Sequence, residues 1–489
     1  MSNSASVATE LKYCHLHVNG KKQTSRGKLH TQYNPATGEP AAEIPYCTSE
    51  EVDAAIAAAQ AAFPGWSQTP VLQRARILFH FRDLVEKHSA ELVSLITEEN
   101  GKTTEEAKGS FMRGLECIEF ACGAPTLMMG EGLDTISKGV DTATTRRPVG
   151  VCVGITPFNF PFMVPLWMFP VAIACGNTFV LKPSEKVPRS SVRLAELLYE
   201  AGLPAGVLNV VHGAKDVVDQ LLTDSRVKAV SFVGSSSVAK YIYETASKNG
   251  KRVQALGGAK NHSVVMPDSD MKSTVESIMA SSFGCAGERC VATSVVVAVG
   301  AVADPLIAEL KKFADGMTVC AGDRPEAHMG PVISTEAKDR ILSYIDIGEK
   351  EGAKLARDGR RQKSTEGYFL GPTIFDHVKP SMRIAKEEIF GPVLSVIRAK
   401  DLKEAIEIVN ASEHGNASSI YTKSGATARE FTNAAQTGMV GVNIGVPAPV
   451  AIFPFSGWKG SFYGDLHALG KDGVRFFTEN KVVTSRWVD

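Results

Sequence analysis

An excess of charge is the first thing missing. Lys and Arg together number 53, and so do Asp and Glu, which leaves a formal net charge of zero. Nothing in that balance draws the chain to nucleic acid or to a membrane surface. Cysteine is scarce: there are nine residues, an odd number, scattered along the chain. That argues against a disulfide framework and for free thiols in a reducing compartment, the cytoplasm. Metal-ligand spacing is lacking too. Cys117-x4-Cys122, Cys285-x4-Cys290 and His15-x-His17 fit no standard zinc pattern, so no metal is expected. Met1-Ser-Asn-Ser-Ala-Ser has no basic start, apolar run or arginine, so neither a signal nor a transit peptide is expected.

Familiar signatures are present only in broken form. A G-x-G-x-x-G fingerprint begins at Gly130-Glu-Gly132, but Thr135 takes the third glycine position and no strand leads in. Gly101-Lys102-Thr103 imitates the end of a P-loop. Ile96 stands where its first glycine belongs, and a helix rather than a strand precedes it. G-x-S-x-G fails at Val238. A membrane span fails as well. Residues 148–181 carry no charge, but Pro157, Pro161, Pro165, Pro170, Asn159 and Asn177 interrupt them. Each proline removes a helix hydrogen bond that hydrocarbon cannot replace. The stretch reads as a buried strand, a loop, a helix and a second strand.

What is present is an α/β pattern. At 489 residues, with 44% apolar and 22% charged residues, the chain should fold as two or three globular domains. From Glu50 to about Gly101, Val52, Ala55, Ile56 and Ala59, then Ile77, Leu78, Phe81, Leu84, Val85 and Leu92, keep helical spacing. A further helix is expected over 105–122, and a polar hairpin over 126–147. Strands at 151–156, 178–181, 207–211 and 229–233 then alternate with helices at 165–175, 190–201, 216–222 and 238–248. Such alternation predicts a parallel, doubly wound sheet that binds ligands at the carboxyl ends of its strands. A second alternating region runs from about Gly258 to Gly438. Residues 475–487 read as an exported strand that pairs with another subunit.

The chemistry centres on Phe283-Gly-Cys-Ala-Gly-Glu-Arg-Cys-Val-Ala292. Only a thiolate is a good nucleophile, and Arg289 next to Cys290 is expected to favour that form. Three other stretches share the pattern: Pro157-Phe-Asn-Phe-Pro161, Leu181-Lys-Pro-Ser-Glu185 and Glu387-Glu-Ile-Phe-Gly-Pro392. Together they resemble the aldehyde dehydrogenase superfamily over nearly the whole chain. The resemblance implies an aldehyde dehydrogenase-like α/β fold with two doubly wound parallel-sheet domains and a small β oligomerisation arm. Residues 1–125 with 146–257 would bind NAD, 258–445 would be catalytic, and 126–145 with 467–489 would form the arm. By the same resemblance Cys290 attacks the aldehyde, and the Asn159 amide with the Cys290 N–H holds the oxyanion. Thr156, Phe158, Lys182, Glu185, Gly234, Ser235, Glu388 and Phe390 would bind the cofactor. Glu185 accepts ribose hydroxyls and repels a 2′-phosphate, which favours NAD over NADP.

One position departs from the pattern. Hydrolytic members of the superfamily have a glutamate before Leu-Gly-Gly, which activates the deacylating water. Here Val253-Gln-Ala-Leu-Gly-Gly258 puts Ala255 there. A methyl group cannot take a proton, whereas a thiol such as coenzyme A needs less help. Arg113 and Arg289 suit an aldehyde bearing its own carboxylate. Ala-Gly-Glu-Arg-Cys290, Ala-Leu-Gly-Gly-Ala-Lys-Asn-His262 and Ile155-Thr-Pro-Phe-Asn-Phe-Pro161 resemble the methylmalonate-semialdehyde dehydrogenase family. That family is usually homotetrameric. It converts methylmalonate or malonate semialdehyde, with NAD and coenzyme A, to propionyl- or acetyl-coenzyme A. Which semialdehyde, and whether it comes from valine or inositol breakdown, stays open. The rival expectation is a hydrolytic NAD-dependent dehydrogenase of a carboxylated aldehyde.

Overall fold

The computed structural model describes residues 11–362 and 366–487. The segment Met1-Ser-Asn-Ser-Ala-Ser, in which no targeting peptide is expected, and the last two residues of the expected arm lie outside them.

Five short apolar runs, Val151–Ile155, Thr178–Lys182, Leu208–Val210, Val227–Val233 and Arg252–Leu256, form the parallel heart of the first sheet. Buried on both faces, they read as continuous rather than alternating hydrophobic segments. Val151–Ile155 lies in the middle. The chain first winds from it toward Thr178–Lys182 and Leu208–Val210, then jumps to its other side for Val227–Val233 and Arg252–Leu256. The winding direction therefore reverses between Val151–Ile155 and Val227–Val233. Ligands of such sheets sit at that reversal, beyond the carboxyl ends, where Thr156 and Gly234 follow.

Antiparallel strands Leu16–Val18, Lys21–Gln23 and Phe462–Gly464 widen this sheet to eight. The second sheet has seven strands. Six run parallel, in the order Thr373–Asp376, Val393–Ala399, Thr293–Val299, Asn261–Val265, Ala417–Tyr421 and Met439–Val442. Lys354–Arg357 closes one edge antiparallel.

The charge-free stretch is core, as expected. Its helix, Met163–Ala174, is buried at every residue from Val164 onward. At 12 residues it rises about 18 Å, well short of a bilayer. Among the described residues no helix is long and apolar enough to cross a membrane. Asn177 is buried for a reason: it accepts from Gly150 N and donates to the carbonyls of Ala172 and Phe477. It thereby ties the helix end, the strand entry and the carboxyl-terminal segment together.

Within its own chain the expected arm forms a three-stranded sheet. Thr478–Arg486 pairs with Val140–Pro148, from Thr478↔Pro148 to Arg486↔Val140, and Gly132–Ser137 completes the sheet. The other edge of Thr478–Arg486 is unpaired among the described residues, and Leu133, Ile136, Val482 and Val483 are exposed on the arm.

Candidate active site

Cys290 owes its place to a strained turn. The helix Met271–Phe283 ends in Gly284–Gly287, where Cys285 and Ala286 both adopt φ of 51°. Such left-handed backbone is costly for residues with a Cβ and persists only where surroundings enforce it. Gly287 packs so closely on Gly391 that a Cβ there would strike the Gly391 carbonyl. That contact draws the Glu388–Phe390 loop against the turn. The Cys290 carbonyl is fixed from the other side, accepting from Asn261 Nδ2 at 3.0 Å and Asn416 Nδ2 at 2.8 Å.

Asn159, buried in the loop after Val151–Ile155, meets this turn directly: its Nδ2 donates to the Glu288 carbonyl at 3.0 Å. One amide hydrogen is thus committed, and no hydrogen bond is made by the other among the described residues. Its own backbone carbonyl accepts from Lys102 Nζ.

The thiol departs from the sequence expectation. Burial pushes the Cys290 pKa up to about 12, and the negative charge of Glu388 adds to the push. The N–H groups of Cys290 and Val291 pull it down, and Arg289 contributes least. Arg289 favours the thiolate only weakly, because its guanidinium turns elsewhere. Nε donates to Cys285 Sγ at 3.3 Å, Nη1 to the Ala280 carbonyl, and Nη2 reaches Glu106 Oε1 at 3.4 Å. Glu106 Oε1 also accepts from Cys285 N, so one carboxylate fastens both the strained turn and the arginine.

Cys290, Arg289 and Arg113 line one cavity of about 490 Å³, walled by Phe160, Trp167 and Phe455. Arg113 projects from the helix Thr104–Cys122, half exposed, and pairs with Glu116 at 2.9 Å. Ser110, one turn earlier on the same helix, also lines the cavity, and its buried hydroxyl has no hydrogen-bond partner among the described residues. A thiol and two arginines lining one largely apolar cavity, with an asparagine amide on the adjoining turn, can hold an aldehyde that carries a carboxylate.

The other candidate residues gather at the reversal point of the first sheet. Thr156 N donates to the Lys182 carbonyl, and Lys182 Nζ lies 3.2 Å from Glu185 Oε2. Burial raises the Glu185 pKa, but Lys182, the Glu185 N–H and Lys186 together outweigh it and the carboxylate is held below its usual range. Gly234 N donates to the Leu256 carbonyl, and Ser235 precedes helix Ser236–Lys248 without giving it a side-chain cap. Phe158 and Phe390 meet edge to face at 5.8 Å. Glu388 Oε1 accepts from Ala259 N at 2.9 Å, and burial lifts its pKa against the pull of that bond and of Lys260. Lys260, pushed down to about 7 by burial, donates to the Glu387 carbonyl at 2.7 Å. Among the described residues no group of acidic, His and Cys side chains could hold a metal ion.

Asn261, Asn416, Glu106 and Ser110 were not foreseen. Asn261 stood inside a recognised motif without a role, and Asn416, alone between Gly415 and Ala417, gave no signal.

Doubly wound sheet, cysteine turn and facing asparagine define an aldehyde dehydrogenase. The chain belongs to the aldehyde dehydrogenase family, whose sequence pattern matches residues 22–483. Among its relatives, malonate-semialdehyde dehydrogenase 2 of Geobacillus thermodenitrificans is 58% identical over 465 residues, 95% of this chain and 96% of that one. The crystal structure of methylmalonate-semialdehyde dehydrogenase from Oceanimonas doudoroffii superposes with a TM-score of 0.97 at 48% identity, covering 98% of this chain and 99% of the other. A putative methylmalonate-semialdehyde dehydrogenase from Sinorhizobium meliloti 1021, complexed with NAD, gives 0.97 at 45% identity over the same shares.

Proposed function

We propose that the chain oxidises malonate and methylmalonate semialdehydes with NAD, through a thioester on Cys290 and loss of the substrate carboxylate. The acyl group then passes to coenzyme A as acetyl- or propionyl-coenzyme A. Ala255 carries the acylating half of this reading. It is fully buried, paired with Phe232 on one neighbouring strand and Tyr463 on the other, and its methyl group offers water no base. The substrate half is supported by the two arginines beside Cys290 and by relatives named for these semialdehydes.

The crevice suits NAD: an ionised Glu185 for the ribose, an uncapped 13-residue helix for the pyrophosphate, and two aromatic rings beyond. Thr156, Phe158, Lys182, Glu185, Gly234, Ser235, Glu388 and Phe390 would hold it. Bound there, NAD supplies the hydride acceptor and a positive charge near a thiol that burial keeps protonated.

Once ionised, Cys290 Sγ bonds to the aldehyde carbon, and the oxygen takes the electron pair. The free Asn159 N–H and the Cys290 N–H receive that charge; losing one such donor costs about 10²–10³ in rate. With the carbon oxidised to a thioester, the bond to the substrate carboxylate breaks. Its electrons pass to the thioester oxygen, carbon dioxide leaves, and the α-carbon takes up a proton. The coenzyme A thiolate then displaces Cys290 sulfur.

Hydrolysis would need another base, and Glu388 is the carboxylate whose charge bears most on Cys290. A burst experiment separates the two. Without coenzyme A, semialdehyde and NAD should give about one equivalent of NADH per Cys290 and then stall, with turnover restored by coenzyme A. Equal steady rates with and without coenzyme A, yielding free acid, would overturn the acylating route.

We also assign residues 1–125 with 146–257 to cofactor binding, 258–445 to catalysis, and 126–145 with 467–489 to assembly of a homotetramer. The open arm edge and its exposed apolar residues support the last assignment. Nine unpaired cysteines support a cytoplasmic location.

A further inference from the structure

The broken P-loop, Gly101-Lys102-Thr103, has a different use. Gly101 ends the helix Ser89–Asn100 with φ of 87°, and Thr103 caps the helix Thr104–Cys122 in a reciprocal box with Glu106. Lys102 has no part in either cap, and its side chain turns inward to 2% exposure. Its Nζ donates to the Asn159 carbonyl at 2.6 Å and sits 4.0 Å above the Phe160 ring. Two residues earlier, Asn100 Nδ2 donates to the Phe158 carbonyl at 3.0 Å. Both anchors land on the loop that carries Asn159. They cannot slide, because Gly322 and Gly330 pack on the Lys102 and Gly101 carbonyls with no room for a Cβ.

Burying an amino group is expensive unless specific partners hold it. Burial pulls the Lys102 pKa down, while Cys285 and Glu106 pull it up. In either protonation state the nitrogen keeps hydrogens to donate. The Lys102 Nζ is engaged by the Asn159 carbonyl and the Phe160 ring, so it acts on the loop and not on the substrate.

We infer that Lys102 is a positioning residue for the oxyanion site. It holds the backbone of Asn159 from behind while the Glu288 carbonyl holds one amide hydrogen in front. The second amide hydrogen is then left in a single orientation. This inference rests on the reading that Asn159 receives the oxyanion.

The test is a double-mutant cycle on the full-length enzyme, read as the rate of the NADH burst with malonate semialdehyde and NAD. Lys102→Met should slow the burst by about 10-fold or more while NAD affinity and the rate of Cys290 alkylation stay unchanged. Asn159→Ala should slow it by about 10²–10³. The double variant should be no slower than Asn159→Ala, because both changes act through one amide. Losses that multiply, or a Lys102→Met burst within about threefold of wild type, overturn the inference while leaving Asn159 in its role. An undiminished Asn159→Ala burst refutes the oxyanion reading itself and the inference with it. Should Lys102→Met fail to fold, Asn100→Ala loosens the same loop at Phe158 and is judged by the same two outcomes.

Discussion

Replacing Arg113 with leucine isolates recognition of the substrate carboxylate from everything else in the site. Arg113 is 49% exposed and its ion pair with Glu116 at 2.9 Å is an i,i+3 contact on a helix surface. Such exposed pairs are worth about 0.2–1 kcal/mol, so the fold should barely register the change. A hydrogen bond to a charged group contributes about 1.5–3 kcal/mol. Half-exposure puts Arg113 at the lower end, and about 1.4 kcal/mol is a factor of ten. The expected result is a roughly 10-fold fall in kcat/KM for malonate semialdehyde, measured as NADH formation with saturating coenzyme A. Propionaldehyde, with no carboxylate to hold, should be unaffected. Arg289→Leu should discriminate more strongly, since that side chain is only 19% exposed, but it also strips Glu106 and Cys285 of a partner. Equal losses on both aldehydes for Arg113→Leu, or no loss on either, would refute carboxylate recognition by this residue.

Cys290→Ala should abolish NADH formation and leave NAD binding intact by titration; Cys285, buried and held by Arg289, should not substitute, and substantial residual activity would refute the assignment. Burial raises Glu288 to about 8, so wild type is fully stable with respect to this group below about pH 4.5 and loses that stability as pH rises through 8. Glu288→Gln keeps an acceptor for Ile333 N and should therefore gain Tm on wild type across that window; parallel Tm curves would show the carboxyl is not perturbed. Val482→Lys with Val483→Lys should shift the assembly toward smaller species by light scattering, and an unchanged mass would remove the arm from the interface.

The parallel heart of the first sheet was legible because its strands are runs of Val and other apolar residues spaced by amphipathic helices. Asn159 and Cys290 were legible because their neighbours form long, specific motifs. Leu16–Val18, Lys21–Gln23 and Phe462–Gly464 were not. Three residues span no period, and an edge strand is chosen by what it lies against rather than by its own composition. The raised Cys290 pKa was invisible for a related reason. Sequence puts Arg289 next to it, but the chain turns so that the guanidinium serves Glu106 and Cys285 instead. Burial and charge at a site belong to elements that meet only after folding.

The two asparagines on the Cys290 carbonyl have a reach beyond geometry. A trans peptide sets its C=O and N–H in opposite directions, so fastening the carbonyl also aims the N–H of Val291. That N–H is one of the groups drawing the Cys290 pKa down. Asn261 opens one strand of the second sheet and Asn416 immediately precedes its neighbour, so the alignment of two strands bears on the proton of the sulfur, beside the larger effects of burial and Glu388. Part of the setting of the nucleophile is thus supplied by residues that line no wall of its cavity.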